Sequence, residues 1–139
     1  MLYSELQCSE AIHKAVERMG FAEMTEVQEK TIPVMLAGRD VIAKAPTGTG
    51  KTCAFGIPVA EHIDPALKAP QAVILAPTRE LAQQIGEVFN RLSKHTKAKP
   101  FALFGGVEQD AAVSMVGHGA NLVLVQEAGR FVPPVGIGR

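Results

Sequence analysis

Apolar residues recur at helical spacing near the start of the chain. Ala11, Ile12, Ala15, Val16 and Met19 fall on one face of a segment running from Glu10 to Met19. Ser9 stands where a helix N-cap belongs, and Gly20 where a helix stops. A second helix is predicted from Thr25, because Thr25-x-x-Gln28 has the spacing of a capping box. Pro33 is expected to kink or break it, since proline has no N–H and its ring crowds the preceding turn. Gly38-Arg39-Asp40 reads as a turn.

Beyond Asp40 the pattern changes to short, continuous apolar runs alternating with helical stretches. A strand is predicted at Val41–Ala45, then a glycine-rich loop and a helix from Lys51. A second strand is read at Gln71–Ala76, followed by a helix from Thr78 to about Lys97. A third lies at Phe101–Phe104, with a turn at Gly105-Gly106 and a helix at Glu108–Val116, and a fourth at Asn121–Val125. Strands alternating with helices argue for parallel βαβ units, and unbroken apolar runs for a sheet covered on both faces. The last residues, FVPPVGIGR, leave the pattern, because Pro133-Pro134 forbids a regular helix.

Length and charge narrow the functional classes. The chain has 139 residues, enough for one domain, and 47% of them are hydrophobic. Mean hydropathy is +0.13, so material for a core is present and disorder is not expected. Fourteen basic residues balance fourteen acidic ones. A polybasic arm acting through bulk charge is therefore excluded, and any nucleic-acid contact must be a local site. Cys8 and Cys53 stand far apart, which excludes a disulfide framework and a cysteine zinc site and fits a reducing, cytoplasmic compartment. His13, His62, His95 and His118 are scattered and read as surface or packing residues. Lys94, Lys97 and Lys99 read as a solvated helix end. The N-terminus lacks the basic and apolar regions of a signal peptide, and no apolar run reaches the length of a membrane span.

The strongest chemical signal is Ala45-Pro46-Thr47-Gly48-Thr49-Gly50-Lys51-Thr52, a Walker A pattern with Ala for its first Gly. It lies between a predicted strand and a predicted helix, as that motif requires. Gly48 and Gly50 let backbone N–H groups converge on phosphate oxygens without a Cβ in the way. The following helix aims its positive end at the same charge. Lys51 is a flexible ammonium suited to the β- and γ-phosphates, and the Thr52 hydroxyl is a hard oxygen suited to Mg²⁺. Cys53 reads as packing beside the loop.

Four segments in one order say more than the loop alone. They are Gly20-Phe21 through Gln28 (GFAEMTEVQ), APTGTGKT, Pro77-Thr78-Arg79-Glu80-Leu81-Ala82-Gln83-Gln84, and Gly105-Gly106. With them the chain resembles the DEAD-box RNA helicases over roughly residues 3 to 130, at the family's Q motif, motif I, motif Ia and double-glycine motif. The resemblance implies a three-layer α/β, RecA-like P-loop NTPase domain with a mostly parallel sheet, and a parent activity of ATP-dependent RNA unwinding or remodelling. It implies that Gln28 reads adenine. One amide can pair with the N6 donor and the N7 acceptor together, whereas guanine offers two acceptors there. The capping box with Thr25 competes for that same amide. It also implies that Tyr3, where the family usually has Phe, stacks on the base. Pro77, Thr78 and Arg79 open a helix and can face a phosphate. With Gly105, Gly106, Gly129 and Arg130 they are implied to grip the backbone of single-stranded RNA.

The chain departs from the family pattern in two places. Glu127-Ala128-Gly129-Arg130 stands where Thr-Pro-Gly-Arg is expected, so Glu127 sets a negative charge against RNA phosphate and should weaken that contact. No Asp-Glu-Ala-Asp or Ser-Ala-Thr motif occurs. In the family the first Asp of that tetrad holds Mg²⁺ and its Glu orients water, and a second domain supplies arginine fingers. The expectation is a partial domain, incomplete on its C-terminal side: a Q-motif region at 1–38, a P-loop core at 39–130 and an irregular tail at 131–139. It would be a fragment, a truncated gene product or a frame-shifted end, binding ATP with Mg²⁺ and probing RNA weakly, without zinc or membrane. A non-hydrolysing nucleotide-binding module, or part of another P-loop ATPase, stays open. In the family the missing strands lie beside the phosphate-loop strand. Val41–Ala45 should therefore be unpaired, or wrongly paired with 121–125, in a marginal, aggregation-prone monomer.

Overall fold

The computed structural model describes residues 1–67, 69–96, 100–103 and 122–126. They fall into two compact units, one of residues 1–62 and 91–96, the other of 63–90, 100–103 and 122–126. The division lies after His62 and within the helix that spans residues 79–92.

In the first unit, helix α1 spans Glu10–Arg18, and its Ser9 cap accepts from the Ile12 N–H. A second element completes this cap. The Glu61 carboxylate accepts from Ser9 N at 3.0 Å and from Ser9 Oγ at 2.8 Å. Helix α2 spans Glu26–Leu36 and runs through Pro33. Pro33 was expected to kink or break it, and the helix does not break there. The missing proline N–H would have served the Glu29 carbonyl one turn earlier, and Pro33 and Glu29 are both exposed, so water can take its place. The helix ends at Gly38, whose φ of +81° suits a residue without a Cβ, while Arg39 N–H reaches back to the Val34 carbonyl. Helix α3 spans Lys51–His62, carries a buried Pro58 and packs against α2. Ile12, Ile32 and Ile57 are fully buried in this unit. Each such side chain contributes about 1.5–3 kcal/mol over leaving it in water.

The N-terminal residues are laced to the loop before α2. Tyr3 N–H donates to the Ala22 carbonyl and Met24 N–H to the Met1 carbonyl, each at 3.0 Å, around an isolated antiparallel bridge between Leu2 and Glu23. A single 3₁₀ turn at Tyr3–Glu5 follows. Nothing in the hydrophobic pattern points to this pairing, because it rests on backbone groups.

The second unit holds a three-stranded parallel sheet. Its strands are β1 (Ala72–Ala76), β2 (Pro100–Leu103) and β3 (Leu122–Gln126), in the order β1-β3-β2. The register pairs Ala72 and Pro100 with Leu122, and Leu75 and Leu103 with Val125. Gln71 closes the approach to β1. Its amide accepts from Asp64 N–H and donates to the Asp64 carbonyl, both at 2.8 Å. Helix α4 (Arg79–Leu92) follows β1. Its Ala82, Ile85, Phe89 and Leu92 are buried at helical spacing, with a 3₁₀ turn at Ser93–His95 beyond it. Leu75 of β1 is half exposed, so the covering of both sheet faces read from the apolar run is incomplete there.

The strand predicted at Val41–Ala45 is not formed. Residues 41–45 belong to no ladder, and Ile42 is fully exposed. β3 already gives one edge to β1 and the other to β2, so it has none left for a third partner. The double-glycine turn, the helix at 108–116 and the 131–139 tail lie outside the described residues. Among the described residues no helix is long and apolar enough to cross a membrane.

Candidate nucleotide site

The glycine-rich loop closes on itself before α3. Thr49 Oγ1 donates to the Pro46 carbonyl at 2.6 Å, and Gly48 and Gly50 take φ of +83° and +82°. Helix α3 starts at Lys51, so the first N–H groups of the helix have no partner within it and face the loop with the positive end of the dipole. Lys51 is exposed and Thr52 half-buried at this end. Ala45 and Thr49 are half-buried, and Pro46, Thr47 and Gly48 exposed. An anion with several oxygens suits such donors. Thr52 alone would offer one hard oxygen to a divalent cation, and no cluster of three metal-binding side chains occurs among the described residues. Cys53 is buried beside the loop, where burial pushes its thiol up to about 11. It stays a protonated packing group.

Gln28 ties this loop to the rest of the first unit. Its Oε1 accepts from Thr25 N–H at 3.0 Å and from the Tyr3 hydroxyl, while its Nε2 donates to the Gly50 carbonyl at 3.1 Å. The amide orientation is fixed by chemistry, since a backbone N–H must meet the oxygen and a carbonyl the nitrogen. The capping box read at Thr25-x-x-Gln28 is therefore formed, with Gln28 N–H on Thr25 Oγ1 at 3.4 Å. The amide that was expected to read adenine thus serves the capping box and the phosphate loop. Gly50 has no room for a side chain. A Cβ there would lie 2.3 Å from Gln28 Nε2.

Tyr3, which was expected to stack on the base, is buried beside Gln28. It is only 4% exposed, and its ring stacks on Phe21 with centroids 6.2 Å apart and an interplanar angle of 23°. Burial raises its phenol well above the ordinary range, so it remains a hydrogen-bond donor. Phe21, which sequence reasoning passed over, is 42% exposed. Its signal was present: Gly20 ends α1 with φ +79° and turns the next residue away from the helix. A cleft of about 680 Å³ runs between Thr25, Lys30 and Thr31 on one side and residues 41–49 on the other.

The implied RNA residues are only partly on view. Pro77, Thr78 and Arg79 are exposed between β1 and α4, in the second unit. Thr78 Oγ1 caps α4 by accepting from Leu81 N–H at 3.1 Å. Gly105, Gly106, Glu127, Gly129 and Arg130 lie outside the described residues.

Comparison with known proteins bears on the same segments. The model of the DEAD/DEAH box helicase family matches residues 25–132. A DEAD-box ATP-dependent RNA helicase CshA of Geobacillus kaustophilus is 39% identical over 136 residues, which cover 98% of this chain and 29% of that protein. An ATP-dependent RNA helicase CshA of Listeria monocytogenes is 50% identical over 122 residues, 88% of this chain and 24% of that one. A DEAD box protein from the hyperthermophile Methanococcus jannaschii superposes with a TM-score of 0.82 at 34% identity, over 91% of this chain and 34% of its own. The chain thus spans well under half the length of these relatives. Its RecA-like P-loop fold is shared with them. From the phosphate loop, the matching family model and these likenesses it follows that the chain belongs to the DEAD/DEAH box helicase family.

Proposed function

We propose that these 139 residues are the ATP-binding portion of an ATP-dependent RNA helicase, and that they hold nucleotide without turning it over. The observation that carries the reading is the loop at Gly48–Gly50 opening directly onto α3, with Lys51 exposed at its mouth. Lys51 would reach the outer phosphates, and Thr52 would supply a ligand to Mg²⁺. The exposed ring of Phe21, stacked on Tyr3, would offer an aromatic face for a base. Pro77, Thr78 and Arg79 would meet the backbone of single-stranded RNA without reading its sequence. Gly105, Gly106, Gly129 and Arg130 are proposed for the same contact, weakened by Glu127. A cytoplasmic setting fits the two separate cysteines.

Turnover needs a carboxylate to hold the metal and another to orient water, and no Asp-Glu-Ala-Asp motif is present in the chain. Purified chain should bind ATP in the presence of Mg²⁺ and release no phosphate above background, with or without single-stranded RNA. A steady release rate that rises with RNA and disappears in Lys51→Ala would overturn the second half of the proposal. The alternative of a nucleotide-binding module with no link to RNA would be favoured if RNA failed to bind at any salt concentration.

A further inference from the structure

Glu61 stands at the unfavourable end of its own helix. It lies in the last turn of α3, where carbonyl groups gather negative charge and a carboxylate is disfavoured. Its partner belongs to another helix. Both Glu61 oxygens accept from Ser9 N–H, at 3.0 and 3.1 Å, and Oε2 also accepts from Ser9 Oγ at 2.8 Å. Ser9 Oγ in turn accepts from Ile12 N–H, the cap bond of α1. The carboxylate therefore completes the positive end of α1 and joins residues 52 positions apart in the chain.

We propose that Glu61 is a positioning residue for the phosphate loop: by gripping Ser9 it sets the tilt of α3, and with it the reach of Lys51. The inference rests on the nucleotide-site reading above. Lys51 and Thr52 open α3 at the end opposite Glu61. Cys53, Ala54, Ile57 and Ala60 are buried between the two ends, so the helix moves as a packed body. Its twelve residues make it about 18 Å long. On that lever a tilt of about 3° about the Glu61 end carries Lys51 about 1 Å. A shift of that size is enough to spoil a charge-assisted contact to phosphate. Pro58 sharpens the need for an outside grip. It lacks the N–H that would serve the Ala54 carbonyl, so the last turn is held less firmly by its own helix.

The test is a titration of wild type, Glu61→Ala, Glu61→Gln and Ser9→Ala with ADP and with AMP, each with Mg²⁺, beside urea unfolding of the same four proteins. Glu61→Ala removes every bond to Ser9. Its preference for ADP over AMP should shrink about three- to tenfold, through weaker ADP and nearly unchanged AMP. Glu61→Gln keeps an oxygen for Ser9 N–H and an amide group that the Ser9 hydroxyl can accept from, so it should restore most of the preference. Ser9→Ala keeps the backbone N–H and loses the hydroxyl, so it should fall between wild type and Glu61→Ala. A merely structural role would lower the urea midpoint of Glu61→Ala and leave the ratio of ADP to AMP affinities where it was. That result would overturn the proposal, as would a Glu61→Gln ratio as low as that of Glu61→Ala. Should Glu61→Ala fail to fold, Ser9→Ala decides, and a ratio equal to that of wild type would sink the idea. If wild type itself shows no preference for ADP over AMP, the phosphate-site reading falls and this proposal with it. If wild type shows the preference and Glu61→Ala keeps it, this proposal falls alone.

Discussion

Gly48 and Gly50 have nearly the same backbone angle and quite different surroundings, which allows their roles to be separated. A Cβ at Gly48 meets nothing within 4 Å, whereas one at Gly50 meets Gln28 Nε2 at 2.3 Å and Cδ at 3.2 Å. Gly48→Ala should therefore cost only left-handed strain, about 1 kcal/mol. Gly50→Ala adds a clash and the loss of the Gln28 bond, and should cost roughly 2–4 kcal/mol. Urea unfolding of the two variants checks the order. Cys53 gives a pH signature. Burial raises its thiol from 9.0 to about 11, so the folded state holds the proton more tightly than the unfolded chain. Stability from this group is full below pH 9 and should fall as pH rises towards 11. Melting temperature across that window should drop less in Cys53→Ala than in wild type. At this scale the sequence showed which residues surround the loop, and it could not decide how one amide divides itself. Thr25, Tyr3 and Gly50 all bond the Gln28 amide, and that sharing depends on where the N-terminal segment and the loop are placed.

Helix starts were legible because they are local. Ser9 and Thr25 cap the helices they were expected to cap, since one side chain three residues from its target suffices. Internal prolines are less legible than caps. Pro33 stays within α2 and Pro58 within α3, because a single lost hydrogen bond is tolerated when packing holds the helix. Strands at 72–76, 100–103 and 122–126 appear close to where the apolar runs placed them. Val41–Ala45 has the same apolar character and forms none, because a strand exists only with a neighbour and its composition says nothing of that. Among the described residues its backbone N–H and C=O groups have no ladder partner. Limited trypsin digestion should therefore cut after Lys44 and Arg39 ahead of the helical Lys14, Arg18 and Lys30. Intact-mass spectrometry of the first fragments reads this directly, and early cuts within α1 or α2 would contradict it.

At the scale of the molecule, the sequence carried the family and the broad fold, because several short motifs kept their order along the chain. It could not show that the described residues divide after His62, with residues 91–96 joining the first unit. That division depends on where a helix end packs, which motif order does not encode. The first unit contains the whole phosphate loop, α3, Gln28, Tyr3 and Phe21, so nucleotide binding can be asked of it without any part of the RNA contact. The central claim is that the loop grips outer phosphates. It is tested most directly by calorimetric titration of wild type and Lys51→Ala with ADP and with AMP, each with Mg²⁺. The account predicts that wild type binds ADP at least tenfold more tightly than AMP, as expected for a charge-assisted contact of about 1.5–3 kcal/mol. Lys51→Ala should remove most of that advantage while leaving AMP nearly unchanged. Equal affinities for ADP and AMP in wild type, or an ADP advantage that survives Lys51→Ala intact, would contradict it.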